Sequence, residues 1–403
     1  MNWEDLFATR ASRMKASEIR ELLKLLDQPD IISFAGGIPD PDLFPAENFQ
    51  NAFAAVLSGE RQKTALQYSV SEGYVPLRQW IVSQMTKLGI QCDIDNIFIS
   101  SGSQQALDYI GKLFLSPGDT ALVSWPTYMG ALGAFNAYEP EYDRLVAKGN
   151  RSAADYLETA QTKGSRVKLA YMSVDFANPT GETMDLAARQ KLLDMANELD
   201  IAIVEDAAYQ SLRYDGEAIP PILALDVART GNIEETRTLY CGSFSKTLSP
   251  GLRVGWVCAA KEVVSKLVLL KQASDLHSST VTQMAIEEVA SKGFDQQVEK
   301  IHAAYQARRD CMLACLEKYM PEGVTWTRPE GGMFVWVTVA PHLDGADLLA
   351  KSLESQKVAF VPGRAFFADG SNGNTLRLSF SLADETEIDE GMRRLGELLR
   401  SVA

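Results

Sequence analysis

Ile201-Ala-Ile-Val-Glu-Asp206 is a short, almost unbroken apolar run that ends in two acids. A run of this length without period-two alternation reads as a strand buried on both faces. Five further runs share its texture: Asn96-Ile-Phe-Ile-Ser100, Ala121 to Trp125, Val167 to Ser173, Thr238 to Ser243 and Val254 to Ala259. Helical stretches lie between them. One runs from Ser103 to Leu115 and is stopped by Pro117-Gly118, and another runs from Asp185 to Leu199. Strands covered on both faces and alternating with helices imply an α/β domain around a mostly parallel sheet.

Outside this region the texture changes. An amphipathic helix is expected from Ser17, with Ile19, Leu22, Leu23 and Leu26 on one face. The stretch from Ile31 to Pro45 is rich in Gly and Pro, an irregular loop of the length that tends to carry function. A long helix containing Ile301, Tyr305, Met312 and Leu316 precedes Gly331-Gly-Met-Phe-Val-Trp-Val-Thr338. That segment, a strand near Val358 and the run Thr375 to Phe380 suggest a smaller α+β domain. The division expected is 1–45 as an N-terminal helix and lid loop packing with the small domain, 46–295 as the large domain and 296–403 as the small one.

The 403 residues are enough for a full core without disulfides or metals. Lys and Arg number 39 against 53 Asp and Glu, a net charge of −14, which argues against a nucleic-acid binder. Five cysteines with no C-x-x-C pair read as a reduced protein, and three scattered histidines make a zinc site a poor expectation. The acidic start Met1-Asn2-Trp3-Glu4-Asp5 does not resemble a signal peptide. No apolar run reaches the roughly 18 residues of a spanning helix, so no membrane association and a cytoplasmic location are expected.

In an open α/β sheet, ligands sit at the carboxyl ends of the strands. The first strand delivers Ser101-Gly102-Ser103-Gln104 at a helix start, where free N–H groups and the dipole favour an anion. Equally, Ser103 could simply be the N-cap. The others deliver Trp125-Pro-Thr-Tyr128, Asn178-Pro-Thr-Gly181, Glu205-Asp206 with Tyr209, and Ser243-Phe-Ser245-Lys246 followed by Arg253. Turn chemistry alone would explain the Asn-Pro-Thr-Gly stretch. Asp206 is costly to bury without a positive partner. Two serines, a lysine and an arginine together suit a phosphate better than a core. A phosphorylated, aromatic coenzyme with a cationic nitrogen that condenses with an amine fits the whole set, namely pyridoxal 5′-phosphate. No Walker A sequence occurs, and no G-x-G-x-x-G follows a strand.

Ser-Phe-Ser-Lys-Thr-Leu-Ser-Pro-Gly-Leu-Arg-Val-Gly at 243–255 resembles the lysine motif of the class I/II, fold-type I aminotransferases. Gly102-Ser-Gln104, Asn178-Pro-Thr-Gly181, Glu205-Asp206 with Tyr209, and Arg377 follow in the family's order. Ser17-Glu-Ile-Arg20, Ser33-Phe-Ala-Gly-Gly-Ile-Pro39, Leu66-Gln-Tyr-Ser69 and Arg328-Pro-Glu-Gly-Gly-Met-Phe334 are similar to the 2-aminoadipate/kynurenine aminotransferase group. The resemblance implies a seven-stranded, mostly parallel sheet and a homodimer with shared active sites.

It also implies roles. Lys246 would form the internal Schiff base and move the proton, and Asp206 would pair with the pyridine nitrogen. Tyr209 and Asn178 would hydrogen-bond the ring oxygen, and Tyr128 would stack on the ring. Gly102, Ser103, Gln104, Ser243, Ser245 and Arg253 would hold the phosphate, with Tyr68 lent by the partner subunit. Arg377, assisted by Asn178, would grip the substrate α-carboxylate as a bidentate fork. Gly37 would belong to a lid. Arg20, a cation in the first turn of its helix where it opposes the dipole, would read a distal carboxylate. The sequence departs from the family at Ala177, where relatives often carry a bulkier residue, and at Arg213, which has no counterpart role.

The expected activity is amino transfer between an L-amino acid (2-aminoadipate, aromatic, branched-chain or acidic) and a 2-oxo acid such as 2-oxoglutarate. A lyase or decarboxylase on the same fold would use the same Lys246 and Asp206. A regulator built on an aminotransferase-like module would need a DNA-binding domain, and only about thirty residues precede Gly36-Gly37.

Overall fold

The computed structural model describes residues 2–14, 30–146 and 149–402. The helix expected from Ser17, and Arg20 with it, lies outside the described residues. Strand β1 (Ile32–Ser33) leads into the loop through Gly36 and Gly37. The central sheet follows, from β2 (Ile97–Ser100), β3 (Thr120–Ser124), β4 (Glu141–Leu145), β5 (Val167–Met172), β6 (Ala202–Asp206), β7 (Thr238–Ser243) and β8 (Gly255–Cys258). Their order is β2-β8-β7-β6-β5-β3-β4. Every neighbouring pair is parallel except the two that β8 makes, with β2 and with β7.

Six of these strands are the apolar runs of the sequence. The seventh, β4, reads Glu-Tyr-Asp-Arg-Leu and buries only Leu145 fully. It closes one edge beside β3, where one face and one rim meet water, so it carries no apolar signature.

Helices cover both faces of the sheet. Leu107 and Ile110 of the helix Ser103–Phe114, with Phe135 and Leu267, pack on Val123, Val204 and Val257. On the opposite face Leu77, Ile81, Leu223 and Ile286 pack on Ile97, Ile99 and Tyr240. Each fully buried aliphatic or aromatic side chain is worth ~1.5–3 kcal/mol. Asp185 caps the helix Leu186–Leu199 by accepting from the Ala188 amide at 2.8 Å.

A second, antiparallel sheet comes from the last third of the chain. Its strands are β9 (Thr325–Trp326), β10 (Phe334–Thr338), β12 (Val361–Pro362) and β13 (Thr375–Ser379), in the order β12-β13-β10-β9. The short strand β11 (Val358–Ala359) instead pairs in parallel with β1 and draws the N-terminal segment onto this region. The helix Thr280–Tyr319 bends at Gly293, burying Ile286 against the large sheet and Met284 against Val56 and Ala65 before the bend, and Ile301, Met312 and Leu316 against the small sheet after it.

The antiparallel setting of β8 has a direct consequence. Gly255 at its start pairs with both Ser100 and Ser243 at the ends of β2 and β7. The segment before Gly255 therefore arrives at the same sheet edge as the segments after Ser100 and Ser243. Residues 101–104, 243–246 and 253 are brought together by this strand order, although about 150 residues of sequence separate the first from the last.

Candidate active site

Strand β6 ends in two carboxylates with different fates, because successive side chains point to opposite faces. Glu205 accepts from the Ile222 and Leu223 amides at 2.8 and 3.0 Å, at the start of the helix Ile222–Thr230. It serves as an anchor for that helix, and burial pushes its carboxyl up to about 7. Asp206 points into the site. It is buried and accepts from the Tyr171 hydroxyl at 2.6 Å and the Ala208 amide at 3.4 Å. Burial raises its carboxyl, while the Tyr171 and Ala208 donors and the Lys246 charge oppose the rise. No cation lies within ion-pair distance of it among the described residues.

Lys246 lies just past the end of β7. Its Nζ donates to the Gly37 carbonyl at 2.9 Å and sits 5.7 Å from the Tyr209 ring centre. Burial, then the charges of Arg377 and Arg253, push the amine down to about 8, against an opposing pull from Asp206. A lysine near 8 has a substantial neutral fraction at physiological pH, as a nucleophilic or proton-transferring amine needs.

Arg377, in the middle of β13, is 1 % exposed. It donates to Asn178 Oδ1 and to the Ala35 carbonyl, both at 2.8 Å, and lies over the Phe334 ring at 4.4 Å. Its Nε is buried without a partner. Burial lowers the guanidinium to about 10, which leaves it charged at neutral pH. A buried, fixed cation with an unused donor is a built receptor for a carboxylate.

The aromatic residues complete the floor. Tyr209 is buried edge-on to Phe334, with ring centres 5.6 Å apart. Burial raises its hydroxyl, and hydrogen bonding with Asn178 opposes this. Tyr128 has its hydroxyl 3.5 Å from Gln104 Oε1, and burial and the Asp206 charge raise it. Trp125, the other aromatic of that loop, packs edge-on against Phe367.

At the helix start the structure removes one of two expectations, that of Ser103 as the N-cap. Gly102, with φ +81°, is the N-cap of the helix Ser103–Phe114, so Ser103 is the first helical residue and not the cap. No side chain caps this end, which leaves the first-turn amides available to an external acceptor. A Cβ at Gly102 would collide with the Arg253 guanidinium, so the arginine lies flat against this turn. Ser243 Oγ accepts from the Ser245 amide at 3.1 Å, next door.

Two expected members stand apart from this gathering. Tyr68, expected at a partner subunit's phosphate, is 79 % exposed, with its ring edge-on to His277. Arg20 lies outside the described residues. Arg213, unassigned from sequence, stacks on Phe176 and bonds Glu330 at 2.8 Å, with Asp175 at 3.6 Å. It braces the loop that carries Asn178. Tyr171 was missed altogether, because a tyrosine inside an apolar strand reads as core until its hydroxyl is seen on Asp206.

This set fits a phosphorylated pyridine aldehyde. Among the described residues a buried carboxylate lacks a counter-cation and a buried arginine nitrogen lacks a partner, and the glycine of the uncapped turn leaves room for a cation beside free amides. Such a fold and such a gathering of amine, carboxylate and guanidinium define an enzyme of amino-group chemistry. The family model for aminotransferases of class I and II matches residues 30–395. The chain is 42 % identical to the aromatic-amino-acid aminotransferase 1 of Thermococcus litoralis, over 99 % of this chain and 95 % of that one. It is also 42 % identical to the 2-aminoadipate transaminase of Thermus thermophilus, over 100 % and 98 % of the two chains. Among solved structures, the α-aminoadipate aminotransferase of Thermus thermophilus, complexed with N-(5′-phosphopyridoxyl)-L-leucine, superposes with a TM-score of 0.89 at 40 % identity, covering 100 % of this chain and 99 % of that one. The chain belongs to the class I and II aminotransferase family, and it is an aminotransferase. No helix among the described residues is long and apolar enough to cross a membrane.

Proposed function

We propose that this enzyme uses pyridoxal 5′-phosphate to exchange amino groups between L-amino acids and 2-oxo acids, with 2-aminoadipate and aromatic amino acids among the donors and 2-oxoglutarate as an acceptor. Branched-chain and acidic donors belong to the same reading. The observation that carries it is Asp206, a buried carboxylate with a hydroxyl and an amide for partners and no cation within ion-pair distance among the described residues. A protonated ring nitrogen is the counter-charge that such a group calls for.

When bound, the coenzyme supplies an aldehyde for the amine and an electron-accepting ring. Asp206 holds the proton on the ring nitrogen. Lys246 Nζ would be the amine that holds the coenzyme at its aldehyde carbon, and its basicity would serve to take and return the proton at the substrate Cα. Tyr209 and Asn178 hydrogen-bond the ring oxygen, and Tyr128 stacks on the ring. The 102–104 amides, Ser103, Ser243, Ser245 and Arg253 hold the phosphate. Arg377 orients the substrate α-carboxylate with Asn178, and Gly37 lies on the lid side. Arg20 reads a distal carboxylate.

Tyr68 completes the phosphate site of a partner subunit in a homodimer. Its exposure, with that of Leu66 and Val70 beside it, supports this placement. The same reading takes 46–295 as the large coenzyme-binding domain, 296–403 as the small domain, and 1–45 as an N-terminal helix and lid loop that packs with the small domain.

Borohydride reduction of the coenzyme-loaded enzyme should fix the label on the peptide bearing Lys246, and label on another peptide would overturn the reading. A panel of amino donors against 2-oxoglutarate, run on wild type and Arg20→Ala, tests the substrate class. Arg20→Ala should raise KM for 2-aminoadipate and glutamate and spare leucine. Equal losses for acidic and neutral donors would remove the distal-carboxylate role.

A further inference from the structure

Behind the first turn of the helix Ser103–Phe114 lies a buried polar cluster that none of the roles above uses. Lys271, on the helix Lys261–Gln272, has a fully buried side chain. Its Nζ donates to Gln105 Oε1 at 2.8 Å and to both oxygens of Asp275 at 3.0 and 3.1 Å. Gln105 Nε2 donates to Asp275 Oδ2 at 2.8 Å, which closes a three-membered ring of side chains. The outward contact of that ring is Ser101. Its amide donates to Gln105 Oε1 at 2.8 Å, and its hydroxyl lies 3.4 Å from Asp275 Oδ2 and 3.1 Å from Ser278 Oγ. The next residue is Gly102, the uncapped N-cap against which Arg253 packs.

A buried lysine–aspartate pair is poor glue, since desolvation offsets most of the Coulomb gain and an apolar pair of the same shape would serve stability as well. What the pair does fix is direction. With a cation on Oε1 and a carboxylate on Nε2, the Gln105 amide has one permitted orientation, and in it Oε1 faces the Ser101 amide. The amides of Ser274, Asp275 and Leu276 all bond the Lys271 carbonyl, and Leu276 beside Asp275 adopts φ +67°, a left-handed conformation that non-glycine residues seldom take.

We infer that Lys271, acting through Asp275 and Gln105, is a positioning residue for the coenzyme phosphate: it sets the 101–103 turn so that the first-turn amides and Arg253 meet the anion together. The inference rests on the reading of 102–104 and Arg253 as the phosphate cradle.

The test is equilibrium titration of the coenzyme-free, full-length protein with pyridoxal 5′-phosphate and, separately, with pyridoxal, which lacks the phosphate. Lys271→Met should weaken pyridoxal 5′-phosphate by about tenfold or more, as loss of an orienting outer partner does elsewhere, and leave pyridoxal within about twofold. Lys271→Arg, which keeps the charge and the donors, should recover part of the loss. Asp275→Asn should reproduce the selective loss, and its partly exposed side chain makes it the variant to read if Lys271→Met does not fold. Equal weakening of both ligands, or of neither, would overturn the inference. Arg253→Ala separates the two levels of the argument. If it too fails to discriminate between the ligands, the phosphate cradle itself is misplaced. If it is selective and the Lys271 and Asp275 variants are not, only the positioning role falls.

Discussion

Replacing Tyr171 with Phe removes a single oxygen from the site and should be felt through Asp206. Tyr171 sits on β5, paired with Val204 two residues before Asp206 on β6. Its ring is fully buried and packs edge-on against Phe135 at 5.7 Å, so phenylalanine keeps the packing. What disappears is the 2.6 Å hydrogen bond to Asp206 Oδ2. A hydrogen bond to a charged group is worth ~1.5–3 kcal/mol. If that stabilisation belongs to the ionised carboxylate that holds the coenzyme nitrogen, the loss in kcat/KM is roughly ten- to a hundredfold. The pH dependence has a definite sign. Burial already raises the Asp206 carboxyl, and the Tyr171 donor is the first of the effects that lower it. Without that donor the carboxyl rises further, less of it is ionised at a given pH, and the acid limb of the kcat/KM profile moves to higher pH. The assay is that profile, measured on coenzyme-saturated enzyme beside a thermal melt. An acid limb that stays in place with a rate within about twofold of wild type would refute the assignment of Asp206 to the coenzyme nitrogen.

Two further outcomes follow from the same geometry. The Lys246 amine, held at about 8 instead of 10.5, is half neutral near pH 8, so the coenzyme-free protein should take up pyridoxal 5′-phosphate at a rate that climbs with pH and levels off above that point; a midpoint near that of an ordinary lysine, about 10.4, would contradict the burial and the arginine charges given as its cause. Gly102→Ala should weaken the coenzyme because the new Cβ meets the Arg253 guanidinium at φ +81°, whereas Gly118→Ala, at φ +84° with open space around it, should cost only the backbone strain of about 1 kcal/mol in a thermal melt; equal effects of the two on coenzyme titration would show that the steric argument is wrong.

Much of the site was legible in the sequence because of where its residues stand, at the ends of strands whose interiors are uniformly apolar. A serine pair, a lysine and an acid stand out at such ends, and a parallel α/β sheet gathers its strand ends on one edge. Arg253 was legible beside them from its place after Lys246, and the backward run of β8, which no local pattern announces, is the reason it reaches the same edge. Tyr171 was hidden by the opposite logic, since a polar group in the middle of an apolar strand looks like core, and its partner lies 35 residues away. Strand β4 was hidden because an edge strand carries polar residues on its open side. Lys271 and Asp275 look like an ordinary solvated pair on a helix and its end. Only the packing of that helix against Ser103–Phe114 turns them inward onto Gln105.

The chain as a whole carries −14, yet the edge of its sheet concentrates positive charge. Lys246, Arg253 and Arg377 converge there with the carboxylate of Asp206, and the two arginines are among the causes that lower the lysine. That lowering is the mark of mutual repulsion, and it works in both directions. An anion that settles on Arg253, or a carboxylate that settles on Arg377, relieves the repulsion and lets the lysine hold a proton more tightly. By linkage, a proton on the lysine must strengthen the hold on both anions. The field of the acidic exterior repels small anions at long range, while the low-dielectric edge concentrates its own field and attracts them at short range. On the proposed reading, selection for a doubly charged phosphate and an amino-acid carboxylate has its source in the buried Arg377, the half-buried Lys246 and the exposed Arg253, whose mutual repulsion two anionic partners relieve.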